Sequence, residues 1–484
     1  MRQKISTIIV ALCVIITPLL VIAIRSISVH NNVLLGRPVW SDELLYWREI
    51  FSFSKSSFNI GYTEGWLGPG YEAKLGPLGC HGIAPIVAWG WYAFFFTIRD
   101  NSLVVANTIM LMCSLLIFVI CVRPTMRKSI WVIILVMTYV PLISYIPTSM
   151  MELPCYAGII VYIGLLINYQ QKPKKEILVL LLSVVLYCSL LRICYAVLFF
   201  PLIALSFDKH KCTGRVLLQG GLTCVFTFGV RYLSSLFSSY WPYGFKWKFV
   251  LDFGEAPAWR IYLHHGKENF INWFNPYSDN LQQALQRYLL ILLIIILLVR
   301  WLKEKKWIYL GGACSLGTLW AAIVMLYDVW DARDYRTQAP VTFGMLLWLI
   351  MTEKEKKDWQ FWDKRIVYAV CTVPVLFSVY FATEGWAERY ENVSELNVDW
   401  TELLDNDNAP CTIGMWEADN WNYSLIKSLP PEVGYSIVGM EVDINSVDTA
   451  DFIITNSDRT DEITEFEYVQ TVEEIGQLWK RKDK

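Results

Sequence analysis

Long apolar runs recur along this 484-residue chain and constrain its fold more than any other feature. A run of about 20 apolar residues matches the hydrocarbon thickness of a bilayer, where a lone segment satisfies its backbone only as a helix. Runs suited to crossing lie at 5–27, 102–122, 129–146, 155–168, 177–191, 193–207, 216–237, 285–302, 307–327, 340–351 and 366–382. The stretch 177–207 holds two crossings only if it turns near Arg192. With 55% hydrophobic residues, 15% aromatics and a mean hydropathy of +0.37, the chain falls outside the usual balance of soluble enzymes. The expected fold is an α-helical polytopic membrane protein with about eleven transmembrane helices.

Charge divides the chain in two. Residues 383–484 carry 7 Lys or Arg against 23 Asp or Glu, whereas the remainder carries 35 against 21. The boundary predicts a membrane domain over 1–382 and an acidic extracytoplasmic domain over 383–484. Short β-prone runs at 411–415, 435–440 and 450–456, with a helical stretch over 421–429, predict a small α/β fold there. The segments 1–4, 123–128, 169–176, 208–215, 303–306 and 353–365 each hold at least two basic residues. The excess of Lys and Arg on cytoplasmic loops places all six, and the amino terminus, inside. Residues 28–101, 238–284 and 328–339 then face outward. Within the first of these, 83–98 is apolar but short, rich in Trp and Phe and bounded by Pro85 and Arg99, so it is expected to lie flat in the interface.

The basic residues at Arg2 and Lys4 followed by an apolar run also fit a signal peptide, but the run is long and no small-residue cleavage site follows, so an uncleaved first helix is expected. No CxxC pair indicates a zinc ribbon or redox site, and most of the 12 cysteines sit in apolar runs as small hydrophobes. Cys80 and Cys411 fall in long polar stretches, where a disulfide is open to them. No basic footprint with interleaved aromatics points to nucleic acid.

Candidate chemistry gathers on the outer side. Ser41 followed by Asp42 and Glu43 reads either as a helix cap with acids in the first turn, or as carboxylates serving as a general base or holding a divalent cation. The loop from Gly61 to Gly82 has many glycines and contains Glu72 and Lys74, which suits either a surface loop or an anion site. Glu152 stands at an outer membrane edge, and Arg192 interrupts an apolar stretch at the same level; a membrane-level charge there needs a partner. Arg333 and Arg336 are one helical turn apart and suit a phosphate ester, or pair with nearby Asp331 and Asp334. His264 and His265 fall in an aromatic-rich loop as metal or proton-transfer candidates, or as surface histidines.

Taken together, the first helix, the outer acidic pair Asp42-Glu43, the interfacial helix introduced by prolines, the acid before a proline (Glu152, Pro154) and the Arg333–Arg336 stretch resemble the GT-C glycosyltransferases. Within that superfamily the order is most similar to the protein O-mannosyltransferase and lipid A aminoarabinose transferase group. The resemblance implies transfer of a sugar from a polyprenyl-phosphate donor to a glycan, lipid or protein acceptor at the outer face of a bacterial plasma membrane. It implies Asp42 or Glu43 as the acid that activates the acceptor hydroxyl, with Glu152 as a second acid. Lys74, Arg192, Arg333 and Arg336 would meet the donor phosphate, and Glu72, His264 and His265 would be the places for a divalent metal, should one be required. The family's tight acid-Lys-Pro spacing is loosened here, since Ala73 separates Glu72 from Lys74 and Pro77 comes later. An envelope polysaccharide polymerase or ligase, and a transporter, are the competing readings.

Overall fold

Polar punctuation decides where the apolar runs break. In the computed structural model, the described residues are 2–28, 30–39, 41–58, 78–79, 81–208, 213–237, 252–253, 256–257, 263–264, 266–271, 281–326, 336–352, 389, 398–403, 411–416, 418, 423–430, 435–440, 450–456, 463–472 and 475–482. Helix α1 (Arg2–Ser28) is followed by a short 3-10 turn, then α2 (Ser41–Ser56) and α3 (Ala84–Phe95). Helix α4 (Ser102–Val122) stops at Arg123, which adopts the left-handed conformation at φ 50° ahead of Pro124. A proline cannot continue a helix and restricts its predecessor, so the chain turns at once.

Helices α5 (Met126–Thr138) and α6 (Val140–Tyr145) meet at Tyr139, where the backbone is extended just before Pro141. Helix α7 (Glu152–Gln171) is buried along most of its length. Helix α8 (Lys175–Leu191) ends at Arg192, also extended, and a 3-10 segment (Ile193–Leu198) leads into α9 (Phe199–Asp208). The expected turn near Arg192 is therefore present. Helix α10 (Thr213–Phe237), α11 (Leu281–Glu304), α12 (Trp307–Leu326) and α13 (Ala339–Thr352) complete the bundle. A two-residue ladder pairs β1 (Asp252–Phe253) with β2 (Ala256–Pro257).

Ten of the eleven apolar runs are thus helical, and the run at 366–382 lies outside the described residues. The count of eleven crossings is not reproduced: four helical stretches among the described residues are long and apolar enough to cross, at Ile9–Ile27, Ser102–Val122, Glu152–Gln171 and Trp307–Met325. Five of the six others fall short for identifiable reasons. Helix α9 has 10 residues, α13 has 14 and α8 has 17, while α5 and α6 are split. Helix α11 is long enough but carries Arg287, Arg300, Lys303 and Glu304. Helix α3 has 12 residues and buries Pro85, Ala88, Trp89 and Tyr92 on one side while Phe94 and Phe95 stay exposed.

The basic turns are tied to one another. Lys128 at the start of α5 donates from Nζ to the Met351 carbonyl at the end of α13, 2.7 Å away. Asp208 at the end of α9 accepts from the Trp307 and Ile308 amides that open α12, at 2.7 and 3.1 Å. A carboxylate there satisfies amides that the helix leaves unpaired and suits its positive end.

The C-terminal region forms a five-stranded sheet in the order β4-β3-β5-β7-β6. Strand β3 (Cys411–Trp416) runs parallel to both β4 (Tyr435–Met440) and β5 (Phe452–Thr455). Strands β5 and β7 (Gly476–Arg481) are antiparallel, as are β6 (Phe466–Val472) and β7. Parallel neighbours need a crossover, and the short helix α15 (Tyr423–Ser428) lies in the connection between β3 and β4. Alternation along the strands sends Ile413, Met415, Phe452 and Ile454 into one core, with Trp400 of α14 (Trp400–Leu403), and sends Trp416 and Ile453 to the other face. Cys411 is a free thiol buried in the first core, so the expected disulfide with Cys80 is not formed. Burial pushes that thiol up to about 12, which keeps it protonated.

One member of this core comes from far away. Leu44 of α2 packs among the sheet residues, and Arg48, one turn further along α2, donates to the carbonyls of Leu429 and Pro430 at 2.7 and 2.6 Å. The two regions therefore share a helix.

Close backbone approach holds the bundle together. A Cβ on Gly311 of α12 would stand 2.7 Å from the Phe200 carbonyl oxygen and 2.8 Å from the Pro201 Cα, both backbone atoms that cannot swing aside. Small residues permit such contacts between membrane helices. Gly311→Ala is expected to lower stability by about 1–3 kcal/mol, the usual range for overpacking, read as a fall in the thermal midpoint of the purified chain in detergent. Gly317→Ala on the same helix, where a Cβ meets nothing within 4 Å, should leave that midpoint unchanged or slightly raised.

Candidate active site

Helix periodicity sorts the outer acids into different environments. Successive residues of α2 project about 100° apart, so neighbours in sequence face different surroundings while residues four apart share one. Asp42, Tyr46 and Glu49 lie on one face; Leu44 and Arg48 lie on the face that meets the sheet; Glu43, Trp47 and Phe51 lie between them.

Glu43 is fully buried. Its Oε2 sits 2.7 Å from Nη1 of Arg389, itself 2% exposed, and accepts from the Val39 amide at 2.9 Å; its Oε1 accepts from the Ser149 amide at 3.2 Å. Both oxygens are engaged, which is what a carboxylate removed from water needs. The arrangement ties the approach to α2, the turn between α6 and α7, and the chain at Arg389. Arg389 also donates to the Arg37 carbonyl.

Asp42 has a different setting. It is 35% exposed and its Oδ2 lies 3.3 Å from Nη1 of Arg336, equally exposed, just ahead of α13. Glu152, in the first turn of α7, is fully buried and pairs with Nη2 of Arg192. The other carboxylate oxygen of Glu152 and Nε of Arg192 are buried with no hydrogen-bond partner among the described residues. Both ion pairs act electrostatically on Tyr46. Burial pushes its phenol well above the ordinary range; Arg192 opposes that shift, Asp42 and Glu152 add to it, and Arg336 opposes it. One tyrosine is thus within electrostatic reach of all four charges. Its ring packs 4.4 Å from His81, centroid to centroid, and 5.8 Å from Trp89. The imidazole Nδ1 of His81 is 2.7 Å from Oε1 of Glu49, and the His81 amide donates to the same oxygen.

Of the sequence-derived site residues, the structure pairs Asp42 with Arg336 and Glu152 with Arg192, both pairs acting on Tyr46, and holds Glu43 as a buried strut against Arg389. His264 is set apart, forming an exposed pair with Glu268, four residues on, at 3.3 Å. Glu72, Lys74, His265 and Arg333 lie outside the described residues, as does the side chain of Ser41. Among the described residues, no group of three metal-ligating side chains forms.

The sequence reading missed Tyr46, Glu49, His81 and Arg389 as parts of this neighbourhood. It noted Arg231 of α10 only as a charge within a span and gave it no part in the site; its Nη1 reaches the Leu190 carbonyl at 3.4 Å and its charge is felt by Cys194 and Arg192. A signal was available for Arg231, as the one cation in the middle of an apolar run. None was available for Arg389, whose meaning comes only from a contact 346 residues away.

No protein-family model, curated protein or solved structure matches the chain. The chemistry of the site therefore rests on its own geometry: a partly accessible carboxylate, a buried carboxylate and guanidinium with hydrogen-bonding capacity not filled among the described residues, and further cations nearby.

Cutting the strut should be costly. Arg389→Met leaves the Glu43 carboxylate buried with its strongest partner gone, and is expected to lower stability by about 3–5 kcal/mol. Pairing it with Glu43→Gln should restore more than half of that loss. Thermal denaturation of the two single variants and the double variant checks this, and an additive double variant would count against a mutually dependent pair.

Proposed function

We propose that this chain is a glycosyltransferase that moves a sugar from a polyprenyl-phosphate donor in the membrane to an acceptor at the outer face. The supporting observation is the division of labour around Tyr46. Asp42 alone among the three candidate acids is both accessible and beside a cation, while Glu43 and Glu152 are buried in ion pairs.

Transfer from a phosphate-linked sugar needs three things at one place. The acceptor hydroxyl must be held near the anomeric carbon, its proton must leave as the new bond forms, and the departing phosphate must be neutralised. In this reading Asp42 takes the acceptor proton. The C1–O bond to phosphate breaks as the bond from the acceptor oxygen forms, and the leaving polyprenyl phosphate keeps the electron pair. Arg336 and Arg192 stabilise that phosphate, with Arg231 as a third cation on the same side. Glu152 fixes Arg192, and its burial in a pair makes it a positioning group rather than the base. An inward amino terminus and an outward acidic domain belong to this proposal, and the basic turns tied in pairs, Lys128 to the end of α13 and Asp208 to the start of α12, favour it.

The decisive measurement is transfer of label from radiolabelled polyprenyl-phosphate sugars to envelope acceptors, in membranes carrying matched amounts of each variant. Asp42→Asn is expected to reduce the rate by about 10²–10⁴, the range for losing a general base. Arg336→Met should reduce it as well, with the larger effect on the chemical step. Full activity in Asp42→Asn would remove Asp42 as the base, and absence of transfer by the unaltered chain across a broad donor pool would remove the class.

A further inference from the structure

A cavity lies on the side of α2 away from Asp42 and Tyr46, and it is independent of the proposed transfer reaction. It measures about 520 Å³, within the range of small-ligand sites. Trp47 and Phe51 form its floor, their rings stacked at 5.1 Å and nearly parallel, and Leu35 and Ile98 extend the apolar side. Arg99, Asp100 and Lys427 form the polar side. Lys427 pairs with Asp100 at 3.1 Å. Arg99 is exposed and its guanidinium has no carboxylate partner among the described residues. Among the described lining residues, two cations face one anion.

The depth of this cavity is fixed by the chain itself. Leu35 follows the end of α1 by seven residues, and Ile98, Arg99 and Asp100 immediately precede α4. Both helices contain candidate membrane spans, and a crossing by both puts these residues at the membrane surface whichever way the chain is oriented. Asn101 joins the two ends through a hydrogen bond from its side-chain nitrogen to the Leu34 carbonyl at 2.8 Å. Beside the cavity, the end of α3 projects Phe94, Phe95 and Phe96, which are 81%, 70% and 52% exposed. Three consecutive exposed phenylalanines are costly in water and suit the boundary between headgroups and acyl chains.

We propose that this cavity binds the headgroup of an anionic phospholipid. Its phosphate pairs with Arg99 and Lys427, its proximal hydrocarbon lies on Phe51 and Leu35, and the Phe94–Phe96 tip sits among the neighbouring chains. A basic pocket beside membrane helices, flanked by apolar surface, has the chemistry that recognises such headgroups. Because Lys427 comes from α15, the bound lipid also bridges the membrane helices to the C-terminal sheet domain.

The test titrates short-chain phosphatidylglycerol into the full purified chain in uncharged detergent and reads the thermal midpoint. Phosphatidylcholine of equal chain length and inorganic phosphate are run in parallel. Phosphatidylglycerol is expected to raise the midpoint saturably, and the other two are not. Arg99→Glu should weaken the response about tenfold or more, since it removes one cation and adds an anion. Arg123→Glu, at the opposite end of α4, should leave the titration unchanged. Asp100→Asn should tighten it, a gain that a folding defect does not produce. An equal response to phosphatidylcholine, the same response to phosphate alone, wild-type titration by Arg99→Glu, or no tightening in Asp100→Asn would each overturn the proposal.

Discussion

The placement of α2 and of the charges around it depends on the buried pair between Glu43 and Arg389. A carboxylate and a guanidinium taken out of water lose several kcal/mol of hydration each, and their attraction offsets this only when the remaining hydrogen-bonding sites are filled. Here the Val39 and Ser149 amides complete the carboxylate. The consequence is geometric: once Glu43 is fixed, its neighbour Asp42 is turned by one helical step toward Arg336. The strut aims the accessible acid and is not itself available as a base.

Helix α2 acts as a beam between two structures. Its Leu44 and Arg48 belong to the sheet domain, its Tyr46 and Glu49 to the charged neighbourhood, and its Trp47 and Phe51 to the cavity beside α4. Three functions of one helix follow from a repeat of 3.6 residues per turn, because residues four apart keep to one face. A helix with polar groups buried on several faces has no single apolar stripe.

Much of the helical architecture was legible because composition alone specifies it. Ten apolar runs are helices, and the breaks at Arg123, Tyr139 and Arg192 lie beside prolines or at a charge. What hydropathy did not reveal was length: a run can be apolar enough to cross and still be split, as 129–146 is at Tyr139, or be flanked by charges, as α11 is. In the sheet domain β3, β4 and β5 were readable as short apolar runs. Strands β6 and β7 were not, because β6 buries only Phe466 and Val472 at its ends and β7 buries fully only Leu478, so neither presents an apolar run. At the site, residue types were legible and partners were not. Asp42 and Glu43 are indistinguishable as sequence, and only the fold assigns one to Arg336 and the other to Arg389.

The shared beam has a consequence for how this protein can vary. Asp42 lies two residues before Leu44 and six before Arg48, all within one rigid helix, so a shift of the sheet domain rotates the acid by a comparable angle. Placement within about 0.5 Å is what an orienting catalytic group requires. Domain docking and acid placement are therefore one mechanical problem with one solution, and it is set by charges buried on both sides of α2: Arg48 against the carbonyls of the sheet domain, Glu43 against Arg389. Apolar contacts alone would let the helix slide or turn at small cost, whereas a misplaced buried charge loses its partner altogether. That difference explains why the helix nearest the proposed chemistry is fixed by ion pairs and charged hydrogen bonds as well as by packing.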